Sequence, residues 1–216
     1  MSDMRQATAE GRRIEEASFA VIDAEAAPHR FTPPEWQVVR RVIHATADFE
    51  FQTALAFHPR AVADGIAAVR AGAPVLADVR MIVAGLNHNR LAGFGCAAHC
   101  LIGEPAVVDA AVRDGSTRAS AAMRQAHRRG LLDGAVVAIG NAPTALAEVQ
   151  RLVGEEGARP ALVVGVPVGF IGAAEAKEAA LSLRVPFVVT RSRKGGSPVA
   201  VAVVHALLAL AAEDRP

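Results

Sequence analysis

The chain has 216 residues, of which 52% are hydrophobic, 4% aromatic and 21% charged, with a formal net charge of +1. This balance leaves no basic excess for nucleic acid and excludes an intrinsically disordered chain. A chain of this length buries roughly 70% of its unfolded surface, so we expect one domain over residues 1–216 with a full core. Two cysteines and no signal-peptide pattern predict a reducing, cytoplasmic setting.

The first third of the chain is predicted to be helical. Apolar residues recur at helical spacing over residues 9–26 and again over residues 59–71. Between them, Thr32-Pro33-Pro34-Glu35 has the pattern of a capping box, which predicts a second helix running to about Ala45. Its core-facing side chains are expected to be Trp36, Val39 and Ile43.

From Pro74 onward, short β-branched runs alternate with helical stretches. The predicted strands are Pro74–Leu76, Ala97–Ile102, Ala135–Ile139, Ala161–Val166 and Phe187–Thr190. The predicted helices are Glu104–Arg113, Ser116–Arg129, Pro143–Gly154, Ala173–Leu183 and Ser197–Ala212. This alternation predicts a single α/β domain whose mostly parallel sheet has helices on both faces, together with a helical N-terminal subregion.

The segment from Pro198 to Ala212 is almost wholly apolar and could suggest a membrane span. It is shorter than the about 20 residues that a spanning helix needs, and it contains His205. We therefore expect a buried terminal helix and no membrane partner, and we interpret His205 as a packing residue.

Glycine-rich loops leave three of the predicted strands, at residues 140–144, 167–175 and 191–198. Such loops would meet at one edge of a parallel sheet, where the backbone N–H groups at helix starts could bind a ligand with several anionic groups. The alternative is that the glycines only form tight turns. Neither a P-loop nor a dinucleotide-binding fingerprint is present, so a nucleotide ligand has little support.

On the capped helix, Gln37, Arg41 and His44 share one face, opposite the apolar side chains. An imidazole in the last turn of a helix can donate or accept a proton near neutrality. A solitary helical histidine is, however, more often structural than functional. The face by itself therefore leaves both interpretations open.

Cys96, His99 and Cys100 could suggest a metal site, but no second pair of ligands follows at a suitable distance. A buried strand explains these residues better, so we expect no metal. Lys177 and Glu178 are interpreted as part of a solvated helix face. No G-x-S-x-G sequence supports a hydrolase triad.

Four segments together resemble a known family. They are Arg41-Val42-Ile43-His44-Ala45, residues 140–146, residues 165–175 and Gly195-Gly196-Ser197. They are similar to precorrin-8X methylmutase of the cobalamin pathway, which also has a cobalt-precorrin-8 form. The resemblance extends from about Ile14 to Leu208, and the loop at 165–175 is its most specific element because its length and order are hard to reach by chance.

The resemblance implies an isomerase that moves a methyl group from C-11 to C-12 of ring C. The product would be hydrogenobyrinate from precorrin-8X, or cobyrinate from cobalt-precorrin-8. The shift would be an acid-assisted [1,5]-sigmatropic rearrangement with no cofactor and no metal in the protein. The resemblance also implies a homodimer with active sites near the subunit interface.

The family's acid/base histidine corresponds to His44, and Arg118 follows from a matching Ser116-Thr117-Arg118 element. The implied substrate-binding positions are Ser18, Arg41, Asn87, Arg118, Asn141, Gly196 and Ser197. A few arginines would bind the substrate's carboxylates without raising the net charge, and Lys194 could bind another. Because aromatic residues are scarce, we expect an Ala/Val-rich wall around the macrocycle.

Two other classes of function stay open at this point. A non-catalytic tetrapyrrole-binding or delivery protein would share the carboxylate-binding loops but would need no proton donor. A nucleotide- or sugar-phosphate-using α/β enzyme would follow from the glycine loops alone.

Overall fold

A six-stranded sheet forms the centre of the computed structural model, which describes residues 8–213. The strands are β1 (Leu55–Phe57), β2 (Val75–Ala77), β3 (Ala98–His99), β4 (Val136–Ile139), β5 (Leu162–Gly165) and β6 (Phe187–Thr190). The helices within the described range are α1 (Ala9–Glu25), α2 (Pro33–Thr46), α3 (Phe51–Ala54), α4 (Ala61–Arg70), α5 (Arg80–Gly85), α6 (His88–Gly93), α7 (Pro105–Arg113), α8 (Arg118–Arg128), α9 (Pro143–Glu155), α10 (Ala173–Ala180) and α11 (Ser197–Glu213).

The strand order is β1-β6-β5-β4-β2-β3, and every pair is parallel except β1 with β6. The predicted mostly parallel sheet is confirmed. The predicted strand Ala97–Ile102 is too long, because only Ala98 and His99 pair with β2 at the sheet edge. Strand β1 was not predicted, since three residues directly after a short helix carry no periodic signal.

Side chains alternate strictly across the sheet. Val75, Val136 and Val188 contribute to one core, whereas Leu76 and Val137 contribute to the other. Because neighbouring residues of a strand point to opposite faces, each face needs its own helical layer. Helices α2, α4, α5 and α11 pack together on the first face, and α7, α8, α9 and α10 pack on the second.

The capping box that begins α2 is present as predicted. The Thr32 backbone N–H donates to Glu35 Oε2 (2.8 Å), and the Glu35 backbone N–H donates to Thr32 Oγ1 (3.4 Å). Trp36 is only half-buried, contrary to the prediction, because its indole N–H donates to Asp23 on α1 (2.8 Å). This contact helps to fix α1 on α2. Helix α2 ends at Thr46, and the next residue, Ala47, caps it with a left-handed backbone (φ 52°).

The apolar C-terminal segment forms α11, which is buried around most of its circumference. It packs against α2, α4 and α5 as well as the sheet, which confirms the predicted buried helix. No helix within residues 8–213 combines the length and apolarity needed to cross a membrane.

The chain reverses direction across the sheet next to β2. From β2 it moves outward through α5 and α6 to the edge strand β3, and then returns through α7 and α8 to β4 on the other side of β2. In open α/β sheets, ligands bind beyond the carboxyl ends of the strands at such a reversal. The topology therefore places a candidate site where β2 and β4 end.

Candidate active site

A cavity of about 370 Å³ lies beside this reversal, between the end of α2, α5 and the start of α11. Its lining residues are Arg41, His44, Ala45, Met81, Gly85, Ser197, Pro198, Val201, Ala202 and His205. The apolar part of the wall consists mainly of small side chains and contains no Phe or Trp. This agrees with the Ala/Val-rich wall that the composition predicted.

His44 lies in the last turn of α2 and is exposed to solvent. The centre of its ring is 5.1 Å from that of Phe19 on α1, and the two rings are tilted by 45°. The imidazole nitrogens have no hydrogen-bond partner within residues 8–213. Phe19 therefore restricts the position of the ring, while both nitrogens are free to contact a ligand.

Arg41 lies one turn before His44 on the same helix face. Its guanidinium is 3.1 Å from Glu15 on α1 and lies over the Phe19 ring, 5.1 Å from the ring centre. These two contacts hold a largely buried positive charge at the cavity wall. Such a charge can bind a ligand carboxylate.

The three glycine-rich loops meet as predicted, and they touch one another directly. A Cβ atom on Gly140 would lie 2.8 Å from Cα of Ser197, and one on Gly195 would lie 2.2 Å from the Val166 carbonyl oxygen. The Gly196 N–H also donates to Val166 (2.8 Å). The glycines are therefore explained by close backbone packing, which places Ser197 on the cavity wall.

Asp78, directly after β2, holds the first of these loops. Its fully buried carboxylate accepts the backbone N–H groups of Gly140 (3.1 Å), Asn141 (2.9 Å) and Ala142 (2.7 Å). Burial raises the pKa of Asp78, and the three backbone donors partly offset that rise. The expectation that this loop offers free N–H groups to an anion is therefore wrong, since Asp78 already occupies them. Sequence reasoning missed Asp78, although an aspartate directly after an apolar strand was a visible signal.

Lys177 on α10 holds the third loop and is fully buried, so its assignment to a solvated face is wrong. Its ammonium donates to the carbonyl oxygen of Lys194 (2.8 Å), which also accepts from Thr190 (3.0 Å). Lys194 does not serve as a free cation either, because it pairs with Asp48 (2.5 Å) and Glu50 (2.9 Å). Both lysines therefore fix the loop that leads to Ser197.

Lys177 gives the protein an unusual dependence of stability on pH. Burial lowers the pKa of Lys177 from its ordinary 10.5 to about 8. Between these pH values the unfolded chain binds more protons than the folded one, so stability rises with pH. A pKa unit corresponds to 1.36 kcal/mol. As the pH rises from 8 to 10.5, we therefore expect the free energy of unfolding of the wild type to increase by up to about 3 kcal/mol relative to that of Lys177→Met. Urea unfolding of both proteins from pH 7 to 10.5 measures this difference.

Few other groups lose a proton near pH 10 in this protein, since the sequence contains no tyrosine and only two lysines, Lys177 and Lys194. Lys194→Met is the matched control. Hydrogen bonds to Asp48 and Glu50 raise the pKa of Lys194, so its contribution to the stability of the fold is lost only above pH 10.5. If the free energies of unfolding of the wild type and Lys177→Met differ by the same amount from pH 8 to 10.5, the lowered pKa of Lys177 is contradicted.

The other predicted site residues surround the cavity at different distances. Ser18 precedes Phe19 on α1, and its hydroxyl donates to Ile14 of the same helix (2.7 Å). Asn87 caps α6, and Asn141 is exposed beside Gly140. None of these three residues lines the cavity. Asn87 is hydrogen-bonded to the lining residue His205, whereas Ser18 and Asn141 are next in the chain to Phe19 and Gly140, which pack against the lining residues His44 and Ser197.

Arg118 lies farther away, in the first turn of α8. The preceding residue, Thr117, is hydrogen-bonded to Thr144 at the start of α9 (2.8 Å), which joins α8 to the loop after β4. The Arg118 side chain is exposed and has no hydrogen-bond or ion-pair partner within the described part of the chain. It is therefore available to a ligand that extends beyond the cavity.

His205 on α11, interpreted from the sequence as a packing residue, also lines the cavity. Its Nε2 accepts the backbone N–H of Asn87 (3.0 Å). Burial lowers the pKa of His205 to about 4, and the positive charges of Arg90 and Arg41 act in the same direction. Arg41 and Arg90 therefore place positive charge near the His205 ring.

The cysteines are not arranged as metal ligands. Cys96 is buried, with its thiol 3.4 Å from the Val69 carbonyl oxygen, and burial raises the thiol pKa of both Cys96 and Cys100. Within residues 8–213, no three His, Cys, Asp or Glu side chains are grouped closely enough to hold a metal ion.

The fold and the cavity define a class: an α/β protein with a cavity at the reversal point of a mostly parallel sheet, lined by an exposed histidine and an arginine. Residues 13–210 match the family model for precorrin-8X methylmutase. The cobalt-precorrin-8 methylmutase of Leptospira interrogans is 48% identical over 97% of this chain and 98% of that protein. The precorrin-8X methylmutase of a Sinorhizobium species is 40% identical over 92% of this chain and 94% of that protein.

A solved structure agrees with these sequence relatives. The crystal structure of precorrin-8x methyl mutase from Thermus thermophilus superimposes with a TM-score of 0.89 at 52% identity, covering 94% of this chain and 97% of that one. The chain belongs to the precorrin-8X methylmutase family, whose members are isomerases of cobalamin biosynthesis.

Proposed function

We propose that the protein moves a methyl group from C-11 to C-12 of ring C, converting precorrin-8X into hydrogenobyrinate or cobalt-precorrin-8 into cobyrinate. The observation that carries this proposal is the cavity that brings His44, Arg41 and Ser197 together at the reversal point of the sheet. Relatives named for the cobalt-containing and the cobalt-free substrate are both close in sequence, so both substrates are candidates.

In this proposal, His44 supplies the proton that makes the methyl shift possible. A proton given by the imidazolium to the conjugated macrocycle makes C-12 more electrophilic. The C-11–methyl bond then breaks as the C-12–methyl bond forms, in a [1,5]-sigmatropic shift, and a proton returns to the imidazole. The substrate and product have the same composition, so no oxidant or reductant is consumed. The exposed ring nitrogens of His44 suit this role, because no group within residues 8–213 forms a hydrogen bond with them.

Binding would depend on the carboxylates of the substrate's acetate and propionate arms. Arg41 is held at the wall by Glu15 and Phe19, which preserves its orientation while leaving N–H groups for a ligand. Ser197 at the start of α11 adds a hydroxyl and the favourable end of a helix dipole. Together with Arg118, Asn141, Asn87, Gly196 and Ser18, these residues form the proposed substrate-binding set.

A second protomer would complete the site. Ligand pockets occupy about 300–1,000 Å³, and a macrocycle with many acetate and propionate arms needs the upper part of that range. The cavity of about 370 Å³ suits one edge of such a ring. Exposed apolar side chains on α1 (Ile14 and Val21) and in the loop after β5 (Phe170 and Ile171) are available to a partner. We propose a homodimer that works in the cytoplasm, where its unpaired thiols stay reduced.

The test is to incubate the purified protein with precorrin-8X and cobalt-precorrin-8 separately and to record absorption spectra over time. The proposal expects conversion of at least one substrate to the corresponding hydrogenobyrinate or cobyrinate spectrum. Tight binding with no spectral conversion of either substrate would instead indicate the tetrapyrrole-delivery alternative. Sedimentation of the same sample tests the homodimer, and a monomer at working concentration would overturn that part.

Replacing Arg118 with glutamine tests how far the substrate extends. Loss of one partly solvated arginine–carboxylate contact is worth about 1.4 kcal/mol, so we expect KM to rise about tenfold with kcat nearly unchanged. Arg128→Gln is the matched control, because this arginine lies at the other end of α8 and, among the described residues, its side chain is hydrogen-bonded only to Gln125. Equal KM values for both variants would remove Arg118 from the binding set.

A further inference from the structure

His205 combines a location on the cavity wall with a fixed hydrogen-bond pattern. It lies on the cavity-facing side of α11 and shares the cavity with Arg41 and His44. It is half-buried, whereas His44 is exposed. The two histidines of the cavity are therefore in different environments, and the proposed acid/base chemistry uses only His44.

The hydrogen bond at Nε2 determines which nitrogen of His205 carries the proton. The Asn87 backbone N–H donates to Nε2 (3.0 Å), and the position of Asn87 is fixed because its own side chain caps α6 by accepting from the Arg90 N–H (3.0 Å). A neutral imidazole that accepts at one nitrogen is protonated at the other. His205 is therefore an Nδ1–H donor.

The His205 ring carries no positive charge at neutral pH. Burial, together with Arg90 and Arg41, lowers the pKa of His205 to about 4, so the ring is neutral around pH 7. A neutral ring with Nε2 occupied cannot serve as a strong acid. It can serve as a directional hydrogen-bond donor.

The Nδ1–H group has no acceptor within residues 8–213. A partly buried donor without a partner loses the free energy of a hydrogen bond unless a ligand or water supplies the acceptor. The neighbouring Arg41 and Arg90 make an anionic acceptor favourable at this location. A carboxylate arm of the macrocycle has that chemistry.

We propose that His205 is a further substrate-binding residue, which donates its Nδ1–H to a carboxylate arm of the tetrapyrrole and so orients the ring relative to His44. This inference rests on the proposed function, because the tetrapyrrole supplies the acceptor. It assigns different tasks to the two histidines: His44 exchanges a proton, whereas His205 holds the substrate.

Two substitutions of His205 remove the hydrogen bonds at Nε2 and at Nδ1 one at a time. In His205→Gln the side-chain oxygen can lie where Nε2 was, so the bond from Asn87 is kept and the Nδ1–H donor is lost. In His205→Asn the amide nitrogen can lie where Nδ1 was, so the donor is kept and the bond from Asn87 is lost. A purely structural role for His205 predicts that Asn is the more harmful change, and a substrate-binding role predicts that Gln is.

The experiment measures Kd for the tetrapyrrole from quenching of the single tryptophan, Trp36, and measures KM and kcat from the absorption assay. We expect His205→Gln to raise Kd and KM about 10- to 100-fold, as for a lost hydrogen bond to a charged group, with kcat at saturation nearly unchanged. We expect His205→Asn to bind within about threefold of wild type, and thermal unfolding verifies that both variants fold.

A Kd for His205→Gln equal to that of the wild type would overturn the inference, as would a greater loss in His205→Asn than in His205→Gln. The binding measurement does not require turnover. Wild-type protein that binds the tetrapyrrole without converting it would refute the proposed isomerisation, while the order of the two Kd values would still decide the role of His205. Wild-type protein that does not bind either substrate would overturn both.

Discussion

Replacing His44 with alanine is expected to lower kcat by about 10²–10⁴-fold, the usual contribution of a positioned general acid or base, with little change in KM. No other group in the cavity can replace it. Arg41 is permanently protonated, and His205 is a neutral ring whose Nε2 is already occupied. Steady-state kinetics with the substrate that the wild type converts measure this effect. Because His44 is exposed, the variant should unfold at nearly the wild-type temperature.

His127→Ala is the matched control for this experiment. His127 also lies in the last turn of its helix, α8, but in the layer on the opposite face of the sheet, where it contacts Glu156. We expect this variant to keep wild-type kcat. Turnover by His44→Ala within about threefold of wild type would remove His44 from the proposed mechanism without affecting membership of the family.

Replacing Asp78 with alanine is expected to lower the free energy of unfolding by roughly 3–5 kcal/mol, since each unsatisfied buried donor costs about 1–3 kcal/mol. The change leaves the N–H groups of Gly140, Asn141 and Ala142 without their acceptor. Because Gly140 packs on the backbone of Ser197, the released loop should also displace the cavity wall and lower kcat. Urea unfolding and the absorption assay measure the two effects.

Asp133→Ala provides the comparison for Asp78. Asp133 is exposed and accepts a single backbone N–H, from Arg159 (2.7 Å), in the turn before β4. Its loss should cost only about 1 kcal/mol and leave kcat unchanged. Similar losses of stability in the two variants would show that the three hydrogen bonds to Asp78 do not hold the loop in the way inferred.

Local sequence patterns predicted the parts of the fold that depend on neighbouring residues. The capping box at Thr32 and Glu35 fixes the start of α2, because both partners lie within one helical turn. The parallel sheet follows from short β-branched runs separated by helices. By contrast, β1 was missed, since its three residues form a strand only through pairing with β6, more than 130 residues away.

The candidate site was predicted only in part, for the same reason. Arg41 and His44 share a helix face that periodicity reveals, and a family resemblance added Ser197. The roles of Lys177 and His205 depend on groups far along the chain, so no local pattern distinguishes them from ordinary residues. Asp78 does follow an apolar strand, but the loop that it binds also lies far along the chain. Lys177 in particular looks like a surface lysine until the loop that contains Lys194 covers it.

The sequence by itself determined the fold class and the family and proposed a short set of site residues, because hydrophobic periodicity, capping and motif order are properties of neighbouring residues. The near-zero net charge and scarce aromatics also predicted a small-residue wall with a few arginines. Only the tertiary structure decided which donors are free. It showed that Asp78 occupies the N–H groups of the first glycine loop and that His205 faces the cavity, since burial and hydrogen-bond partners arise from contacts between distant segments.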